Sequence, residues 1–501
     1  MTDDMKMCES LIAALGAGAK GTVVSHVSGG SFAADGTVWN GLPDFTRVEY
    51  TAKPGKRSYI RNEIWLPDAE KWNGRFVGLG NGGMAGSIRY DRLTVFLRAG
   101  YACANSDLGT SAGKFCGVGN PDVYADFGWR ATHIMTEDAK ALIRVRYGRD
   151  AEFSYFYGAS TGGQQAFSEA ERFPEDYDGI CAGVPAFNRV SLHIYFIWNY
   201  RKLHTSDGCS LFTDNQIAEI SALAPVYFRD HGGAYEGDAF VSYPWHGDRT
   251  PEEFVAFVSS HVSWMTDEKA EALRAVYSGP SDPLTGERIY CGMPIGAELN
   301  SGGMLTFSRP GCPNSYPFLW VFGRDYSLYD FDFSSDADKA RRVLSQDMDA
   351  NDDDLSAFAA RGGKLLTFSG SADPWVPYPE SFAFCERAAA GAGGAEKLLS
   401  FFRCFLIPGR AHSGGIGAEE IYPENRSDRS LGAFDALTEW VEKGKAPDRL
   451  TAVSTENPSV AGKRPFERPV YPYGSAEFPF CPHPAGSDER FRLKPSEDSN
   501  T

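Results

Sequence analysis

Two Gly-x-Ser-x-Gly patterns each offer a serine that could act as a nucleophile. One is Gly109-Thr-Ser111-Ala-Gly113 and the other is Gly158-Ala-Ser160-Thr-Gly162. In a nucleophile elbow the serine lies on a sharp strand-to-helix turn, and small residues two positions before and after it let the backbone pack closely. Residues 164–172 after Ser160 favour a helix, whereas the glycine-rich run after Ser111 does not. We therefore predict Ser160 as the nucleophile and Ser111 as an ordinary loop residue.

A nucleophilic serine needs a base and a residue that orients the base. Of the nine histidines, only His412 directly follows a late strand-like run, in Pro408-Gly-Arg-Ala-His412. Asp373 follows an earlier strand-like run, residues 363–370. Catalytic groups gather at the carboxyl ends of strands in open α/β sheets. The order Ser160, Asp373, His412 is that of α/β-hydrolase triads. We predict that His412 is the general base and that Asp373 orients it.

The segment Gly78-Leu-Gly80-Asn-Gly82-Gly83-Met-Ala-Gly86 has two interpretations. It matches the dinucleotide fingerprint G-x-G-x-x-G, and Asp107 after the next strand could hold a ribose, which would indicate an oxidoreductase. It also has the position of the glycine-rich loop after an early strand in serine hydrolases. In that case an N–H of Gly82 or Gly83 and the N–H of Thr161 form the oxyanion hole. Because a serine elbow and a histidine loop lie downstream, we favour the oxyanion hole.

The elements around these residues predict an α/β fold. Short β-rich runs at residues 75–79, 101–105 and 153–157 alternate with helix-like runs at 91–98 and 129–147. Strands that alternate with helices imply a parallel sheet covered by helices on both faces.

A change of pattern after about residue 185 predicts an insertion into this core. Helix-like segments separated by Gly-, Pro- and Asp-rich loops replace the regular strands, and strand-like runs return at 363–370 and 400–407, before a closing helix at 432–443. We predict three parts: the first part of the core (1–190), a large and mainly helical lid (191–330), and the second part of the core with the C-terminal tail (331–501).

Composition excludes several other classes. The 501 residues carry a net charge of −17 without any basic run, so we expect no nucleic-acid partner. No apolar stretch approaches the roughly 20 residues that span a bilayer, and the N-terminus is acidic and polar. The ten cysteines show no C-x-x-C spacing. We therefore predict a soluble, cytoplasmic protein with no membrane partner, and the sequence leaves its oligomeric state open.

Several motifs together resemble the tannase and feruloyl esterase family, which includes the hydrolase of the terephthalate monoester. They are Trp72-Asn-Gly-Arg-Phe with Gly80-Asn-Gly-Gly, the elbow followed by Arg172-Phe-Pro-Glu-Asp-Tyr-Asp-Gly179, Leu355-Ser-Ala-Phe, the Ala372-Asp373-Pro loop and Pro408-Gly-x-x-His412. The resemblance covers most of the chain. It implies an α/β-hydrolase core with a large lid, esterase activity on aromatic acid esters, and Ser160, Asp373 and His412 as the triad.

The chain also departs from this family. The resemblance implies a disulfide between a cysteine just before the serine and one just after the histidine, but here those positions are Ala159 and Ser413. It also implies a calcium loop in the lid, of which the carboxylates Asp230, Glu236 and Asp238 are what this chain keeps. We predict no cofactor, with these three side chains as the candidates should calcium bind. The lost cysteines fit a reducing compartment.

Aromatic side chains of the lid could stack on an aryl substrate, and we take Tyr195, Trp198 and Trp264 as candidates. The predicted partner is thus a small aromatic ester of a phenolic, hydroxycinnamic or benzoic type, cleaved through an acyl-enzyme. The close alternative is a hydrolase or acyltransferase that acts on a thioester, a lactone or a carbon–carbon bond of an aromatic metabolite. The distant alternatives are the oxidoreductase and a small-molecule binder without catalysis.

Overall fold

A nine-stranded sheet forms the centre of the fold. The structure is a computed structural model that describes residues 3–16, 18–205, 207–244, 250–307, 315–423, 431–460 and 462–478. The strands in chain order are β1 Ala19–Val27, β2 Ser31–Ala34, β3 Thr37–Asn40, β4 Phe45–Ala52, β5 Ile60–Pro67, β6 Arg75–Leu79, β7 Ala102–Ser106, β8 Phe153–Ala159, β9 Gly179–Gly183, β10 Lys364–Gly370, β11 Phe402–Ile407, β12 Glu420–Pro423, β13 Leu450–Ser454 and β14 Phe466–Val470.

Helices precede, connect and follow these strands. They are α1 Asp3–Ala14, α2 Tyr90–Arg98, α3 Asp122–Ala125, α4 Ala131–Tyr147, α5 Thr161–Arg172, α6 Arg189–Lys202, α7 Asp214–Asp230, α8 Pro251–His261, α9 Asp267–Ser278, α10 Gly303–Phe307, α11 Tyr316–Phe322, α12 Ser335–Met348, α13 Ser356–Ala360, α14 Pro379–Ala392, α15 Ala395–Leu399 and α16 Ala433–Lys443. A π-turn over Asp126–Arg130 leads into α4, and 3₁₀ turns cover Asn300–Gly302 and Leu328–Asp330.

The large sheet is mixed. Its strand order is β1-β4-β5-β7-β6-β8-β9-β10-β11. The strands from β7 to β11 pair in parallel, whereas β1, β4, β5 and β7 pair antiparallel. The expectation of an all-parallel sheet is therefore wrong at the β1 edge. Residues 53–59 between β4 and β5 are too few for a parallel crossover, which needs about a dozen residues.

Alternate residues of the central strands face two different apolar layers. On β6, Phe76 packs in the layer that holds α4, α5 and α14, whereas Val77 packs in the layer that holds α2 and α16. This period of two is the geometry of an extended chain that is buried on both faces. The central strands are thus held in place on both faces, and this fixes the points at which the loops at their carboxyl ends begin.

A helical insertion separates β9 from β10, and the predicted lid interval 191–330 lies within it. Its first helix, α6, belongs to two apolar clusters at once. Val190, Ile194 and Ile197 pack in the core beside the sheet, whereas Leu192 and Phe196 pack in a second cluster with α7, α8 and α9. Helix α6 therefore joins the insertion to the core.

Candidate active site

Ser160 lies on a sharp turn between β8 and α5. Its backbone has φ 61° and ψ −115°, a conformation that L-residues rarely adopt. The flanking glycines make this turn possible. A Cβ on Gly158 would lie 2.5 Å from the Gly162 carbonyl oxygen, and a Cβ on Gly163 would lie 2.5 Å from Cα of Pro185. The turn leaves the serine side chain at the carboxyl edge of the sheet, as the predicted nucleophile elbow requires.

The structure brings Ser160, His412 and Asp373 together in one hydrogen-bonded chain. His412 Nε2 is 3.0 Å from Ser160 Oγ, and His412 Nδ1 is 2.8 Å from Asp373 Oδ2. Asp373 is fully buried, and its other carboxylate oxygen, Oδ1, accepts the backbone N–H groups of Trp375 and Val376 at 2.8 and 3.0 Å. The aspartate is therefore fixed by its own loop, and it can hold one tautomer of the imidazole.

The Asp373 and His412 loops, which follow β10 and β11, also bind each other. Ser371 Oγ accepts the N–H of Gly409 at 2.7 Å, and the Arg410 carbonyl accepts the N–H of Ala372 at 3.0 Å. A Cβ on Gly370 would lie 2.2 Å from that same Arg410 carbonyl, so the two loops need a glycine where they cross. These contacts help to set the separation of Asp373 and His412, and Ser371 Oγ in turn donates to the Val241 carbonyl of the insertion at 2.9 Å.

The glycine-rich loop after β6 packs directly against the elbow. The Gly162 N–H donates to the Asn81 carbonyl at 2.8 Å, and a Cβ on Gly80 would lie 2.5 Å from Cα of Gly162. The Asn81 N–H is already used, because it donates to Gln165 Oε1 at 2.8 Å. The predicted donors Gly82 and Gly83 follow next in the loop. Thr161 is the first residue of α5, where an N–H has no partner within its own helix.

The structure does not support the interpretation of this loop as a dinucleotide-binding site. Asp107, the proposed ribose ligand, is fully buried, and its carboxylate accepts the N–H of Gly109 and the guanidinium of Arg61 at 2.9 Å each. The elbow helix also occupies the space beside Gly80. Ser111, the serine of the other Gly-x-Ser-x-Gly pattern, lies exposed in an irregular loop.

The three lid aromatics each make a hydrogen bond within the protein. Tyr195 is fully buried, and its hydroxyl donates to the Pro374 carbonyl at 2.8 Å, so it supports the Asp373 loop and has no surface to offer a substrate. Trp198 donates to the Ala275 carbonyl, and Trp264 donates to Glu219. Both of these contacts lie inside the helical insertion. Sequence alone could not distinguish a ring in the lid core from a ring in a pocket.

The calcium candidates do not form a ligand set within the described residues. Asp238 is taken by Arg468, which binds both of its oxygens through two guanidinium nitrogens. The groupings of three or more potential metal ligands found in that part of the chain include neither Asp230 nor Glu236. The cysteines with described positions, Cys8, Cys103, Cys116, Cys181, Cys209, Cys291, Cys385 and Cys404, are free thiols. Cys312 and Cys481 lie outside the described residues.

Glu169 of the elbow helix α5 lies in a buried polar cluster behind the site. Its carboxyl is fully buried, and burial together with the charge of Asp176 raises its pKa well above the ordinary value. Burial also acts to raise the pKa of Asp176, but the hydrogen bond from His133, at 2.7 Å, and the charge of Lys140 outweigh it and lower that pKa. Glu169 thus has a raised pKa beside an Asp176 whose pKa is lowered.

Two cations near the site, Arg189 and Lys463, were not predicted from the sequence. Arg189, the first residue of α6, contacts both Gly83 and Thr161. Lys463 contacts the loop that carries His412. Arg189 begins an almost uninterrupted apolar run. An arginine at the start of such a run is a signal in the sequence that could have indicated a buried charge. Lys463 has no local signature, because its contacts are with residues far away in sequence.

Comparison with known proteins places the chain among esterases. The family model described as "Tannase and feruloyl esterase" matches residues 46–307 and 319–483. An uncharacterized esterase of Xanthomonas campestris pv. campestris is 31% identical over 90% of this chain and 84% of its own length. A probable feruloyl esterase B-2 of Aspergillus flavus is 31% identical over 83% and 82%.

Solved structures agree with the fold. Feruloyl esterase B from Aspergillus oryzae superposes with a TM-score of 0.80 at 24% identity, over 93% of this chain and 95% of that one. Tannin acyl hydrolase from Aspergillus niger superposes with a TM-score of 0.68 at 19% identity, over 90% and 87%. The predicted α/β-hydrolase fold is confirmed. Among the described residues, no helix is both long and apolar enough to cross a membrane.

Proposed function

Because the chain belongs to the tannase and feruloyl esterase family of carboxylic ester hydrolases, we propose that it cleaves esters of aromatic acids with Ser160 as the nucleophile. The single observation that carries this proposal is the hydrogen-bonded chain from Ser160 through His412 to the buried Asp373. A serine, an imidazole and a carboxylate in this order, on a strand-to-helix elbow, form the arrangement that activates a serine for acyl transfer.

In the proposed mechanism, His412 Nε2 accepts the Ser160 proton as Oγ attacks the ester carbonyl carbon. The negative charge that develops on the carbonyl oxygen is held by the N–H of Thr161 and by an N–H of Gly82 or Gly83. The tetrahedral intermediate collapses, His412 gives the proton to the leaving alkoxide, and the acyl group stays on Ser160. His412 then takes a proton from a water molecule whose oxygen attacks the acyl carbon. The bond from that carbon to Ser160 Oγ breaks, His412 returns the proton to Oγ, and the acid leaves. Asp373 stays ionised throughout and stabilises the imidazolium.

A cavity beside the His412 loop, whose lining contains no residue of the triad, is the proposed location of the aryl group. Its volume is about 310 Å³, and Gly415 and Ile416 line it from that loop, whereas Pro225, Phe240 and Leu299 line it from the insertion. Pockets of a few hundred Å³ with largely apolar walls suit an aryl ring. The names of the relatives, feruloyl esterase and tannin acyl hydrolase, describe enzymes that act on phenolic acid esters.

A labelling experiment with a kinetic panel tests this proposal. The protein is treated with a fluorophosphonate probe, and the labelled peptide is mapped by mass spectrometry. Hydrolysis is then measured on methyl esters of hydroxycinnamic and hydroxybenzoic acids and on alkyl esters of the same size. We expect the label on Ser160 and higher kcat/KM for the aryl esters.

Matched serine variants give the controls. Ser160→Ala should lose labelling and at least about 10⁴-fold in kcat, as the loss of a triad member does elsewhere. Ser111→Ala, in the exposed loop with the same sequence pattern, should retain both. A label on Ser111, or a Ser160→Ala variant with normal turnover, would overturn the assignment of the nucleophile. A preference for alkyl esters would overturn the substrate class.

A further inference from the structure

Arg189 places a buried positive charge between the elbow and the glycine-rich loop. The residue is 4% exposed, although arginine is almost never buried without a partner. One terminal nitrogen donates to Thr161 Oγ1 at 3.1 Å, and the other donates to the Gly83 carbonyl oxygen at 2.8 Å. Arg189 therefore touches both sides of the proposed oxyanion hole from the first residue of α6.

These contacts close into a ring of hydrogen bonds. The Thr161 hydroxyl also contacts the Gly83 carbonyl oxygen. A guanidinium can only donate, and a carbonyl oxygen can only accept, so the direction of every bond is determined. Arg189 donates to Thr161, Thr161 donates to Gly83, and Arg189 donates to Gly83. The ring links the start of α5 to the glycine-rich loop through side-chain and carbonyl groups and leaves the backbone N–H groups of Thr161 and Gly83 free of it.

We propose that Arg189 is a positioning residue for the oxyanion hole: it holds Thr161 and Gly83 at the separation that lets their N–H groups meet the same oxygen. This inference rests on the proposed function. The two N–H groups come from different elements, α5 and the loop after β6. These elements are far apart in the chain, so non-covalent contacts must set the distance between the two groups. Catalysis by such donors depends on their being fixed before charge develops.

The charge of Arg189 adds to this effect. Its guanidinium donates to Thr161 Oγ1, the Gly83 carbonyl oxygen and Met84 Sδ, none of which carries a charge, and within the described part of the chain its Nε atom has no hydrogen-bond partner. The nearest acidic influence is Asp349, whose Oδ1 accepts the N–H of Val190 at 2.8 Å. Burial lowers the pKa of Arg189 to about 10, so the group is still charged at neutral pH. A cation without a close counter-ion favours negative charge on a nearby oxygen, more strongly where water is excluded.

A purely structural role for Arg189 predicts different behaviour. If the ring only attached the insertion to the core, its loss would weaken substrate binding and stability together, without a selective effect on the transition state. If the ring positions the oxyanion hole, its loss should lower kcat while KM stays nearly constant, because the ground-state ester carbonyl uses the hole far less than the oxyanion does.

The test compares Arg189→Lys and Arg189→Gln with wild type on one aryl ester, together with inhibition by an arylboronic acid, whose serine adduct is tetrahedral and anionic. We expect kcat to fall by about 10² to 10³ in Arg189→Gln, the effect of losing an oxyanion donor. KM should stay within about twofold, and the inhibition constant of the boronic acid should rise in step with the loss in kcat. Arg189→Lys keeps the charge with fewer directed donors and should fall between the two.

A second pair of variants keeps the proposal testable if Arg189→Gln does not fold. Thr161→Val removes only the ring hydroxyl at nearly constant volume, and Thr161→Ser keeps it. We expect Thr161→Val to lose kcat and boronic acid affinity together, and Thr161→Ser, which keeps the hydroxyl, to lose clearly less of both than Thr161→Val. The positioning role would be overturned if KM rose and thermal stability fell together while the boronic acid lost no more affinity than the substrate did.

The two proposals can fail separately. If wild type neither hydrolyses aryl esters nor takes the fluorophosphonate label on Ser160, the proposed function fails. If wild type does both and folded Arg189→Gln matches its kcat and its boronic acid affinity, only the role of Arg189 fails.

Discussion

The ammonium group of Lys463 lies 2.8 Å from the carbonyl oxygen of Gly415, three residues beyond His412. It also contacts the Gly417 carbonyl at 3.0 Å and the Glu419 carboxylate at 2.9 Å. Only 2% of the Lys463 side chain is exposed, so all three contacts are shielded from water. A lysine near the C-terminal end of the described residues thus fixes the loop of the proposed base. The resemblance implies a disulfide at this loop, where the chain has Ser413.

Replacing Lys463 by methionine should therefore impair catalysis and stability together. The change removes a donor from two carbonyls and from the Glu419 carboxylate, which keeps its hydrogen bonds from Thr455, and it should lower the free energy of unfolding by about 2 kcal/mol. A shift of His412 by a fraction of an ångström should lower kcat by roughly 10-fold to 100-fold. Steady-state kinetics and denaturant unfolding measure both. Lys445→Met is the matched control, because Lys445 pairs with Glu439 on the surface with 70% of its side chain exposed, and it should change neither quantity.

The positive φ of Ser160 predicts opposite effects of one substitution on activity and stability. Ser160→Gly and Ser160→Ala should both abolish turnover. Only glycine relieves the backbone strain at φ 61°, so Ser160→Gly should exceed Ser160→Ala in free energy of unfolding by about 1 kcal/mol. Denaturant unfolding of the two inactive variants makes the comparison without any effect of substrate. Equal stability of the pair would show that the elbow stores no such strain.

The raised pKa of Glu169 leads us to expect that the free energy of unfolding falls as the pH rises. Its pKa is raised in the folded protein, so above its unfolded-state pKa, about 4.3, the unfolded chain has released a proton that the folded protein still binds. This group should therefore lower the free energy of unfolding by up to about 1.4 kcal/mol per pH unit from there to its folded-state pKa. Glu169→Gln, which replaces the titratable carboxyl by a neutral amide of nearly the same size, should remove this slope.

Urea unfolding at several pH values, with the wild type as reference, checks the effect of Glu169. The difference in free energy of unfolding between Glu169→Gln and wild type should be small near pH 4 and grow in favour of the variant as the pH rises. Glu271→Gln, at a surface side chain that is 72% exposed, should show no such trend. A constant difference at all pH values would mean that Glu169 is ionised in the folded protein.

The cavity beside the His412 loop predicts a change in substrate size preference. Leu299 lines it and is 40% exposed, so a larger side chain can be placed there without disturbing the apolar core. Leu299→Trp should raise KM for bulky aryl esters by about 10-fold, the effect of losing roughly 1.4 kcal/mol of ring contact, and should leave a small acetyl ester unaffected. Leu284→Trp, at a side chain that is 83% exposed and away from the cavity lining, is the control. Equal effects on both esters would place the aryl group elsewhere.

Sequence predicted best the features that short segments determine. The run of β8, Ser160 and α5 was predicted because a β-prone run, small flanking residues and a good helix former are adjacent in the chain. Asp373 and His412 were found by a topological rule, since both follow parallel strands whose carboxyl ends share an edge. The helix predicted at 91–98 begins one residue earlier, at Tyr90. These features depend little on contacts across the fold.

Features that depend on distant contacts were missed. The antiparallel strands β1, β4 and β5 were not predicted, because their place in the sheet depends on pairing between segments that are separate in the chain. Helix α6 is buried almost all round and so lacks the one-sided apolar period that marks a surface helix. The partners of Lys463 lie more than forty residues away in the chain, so no local pattern could indicate them. The cytoplasmic location and the absence of a cofactor stay predictions.

Helix α6 has a consequence for how the enzyme exchanges substrate and product. One continuous helix contributes Ile194 and Ile197 to the cluster beside the sheet and Leu192 and Phe196 to the cluster of the insertion. A rigid-body movement of the insertion relative to the core would have to separate one of these faces from its apolar surroundings in every catalytic cycle. We therefore expect substrate and product to enter and leave without a rigid-body movement of the insertion, and we expect the insertion and the core to unfold in a single cooperative transition.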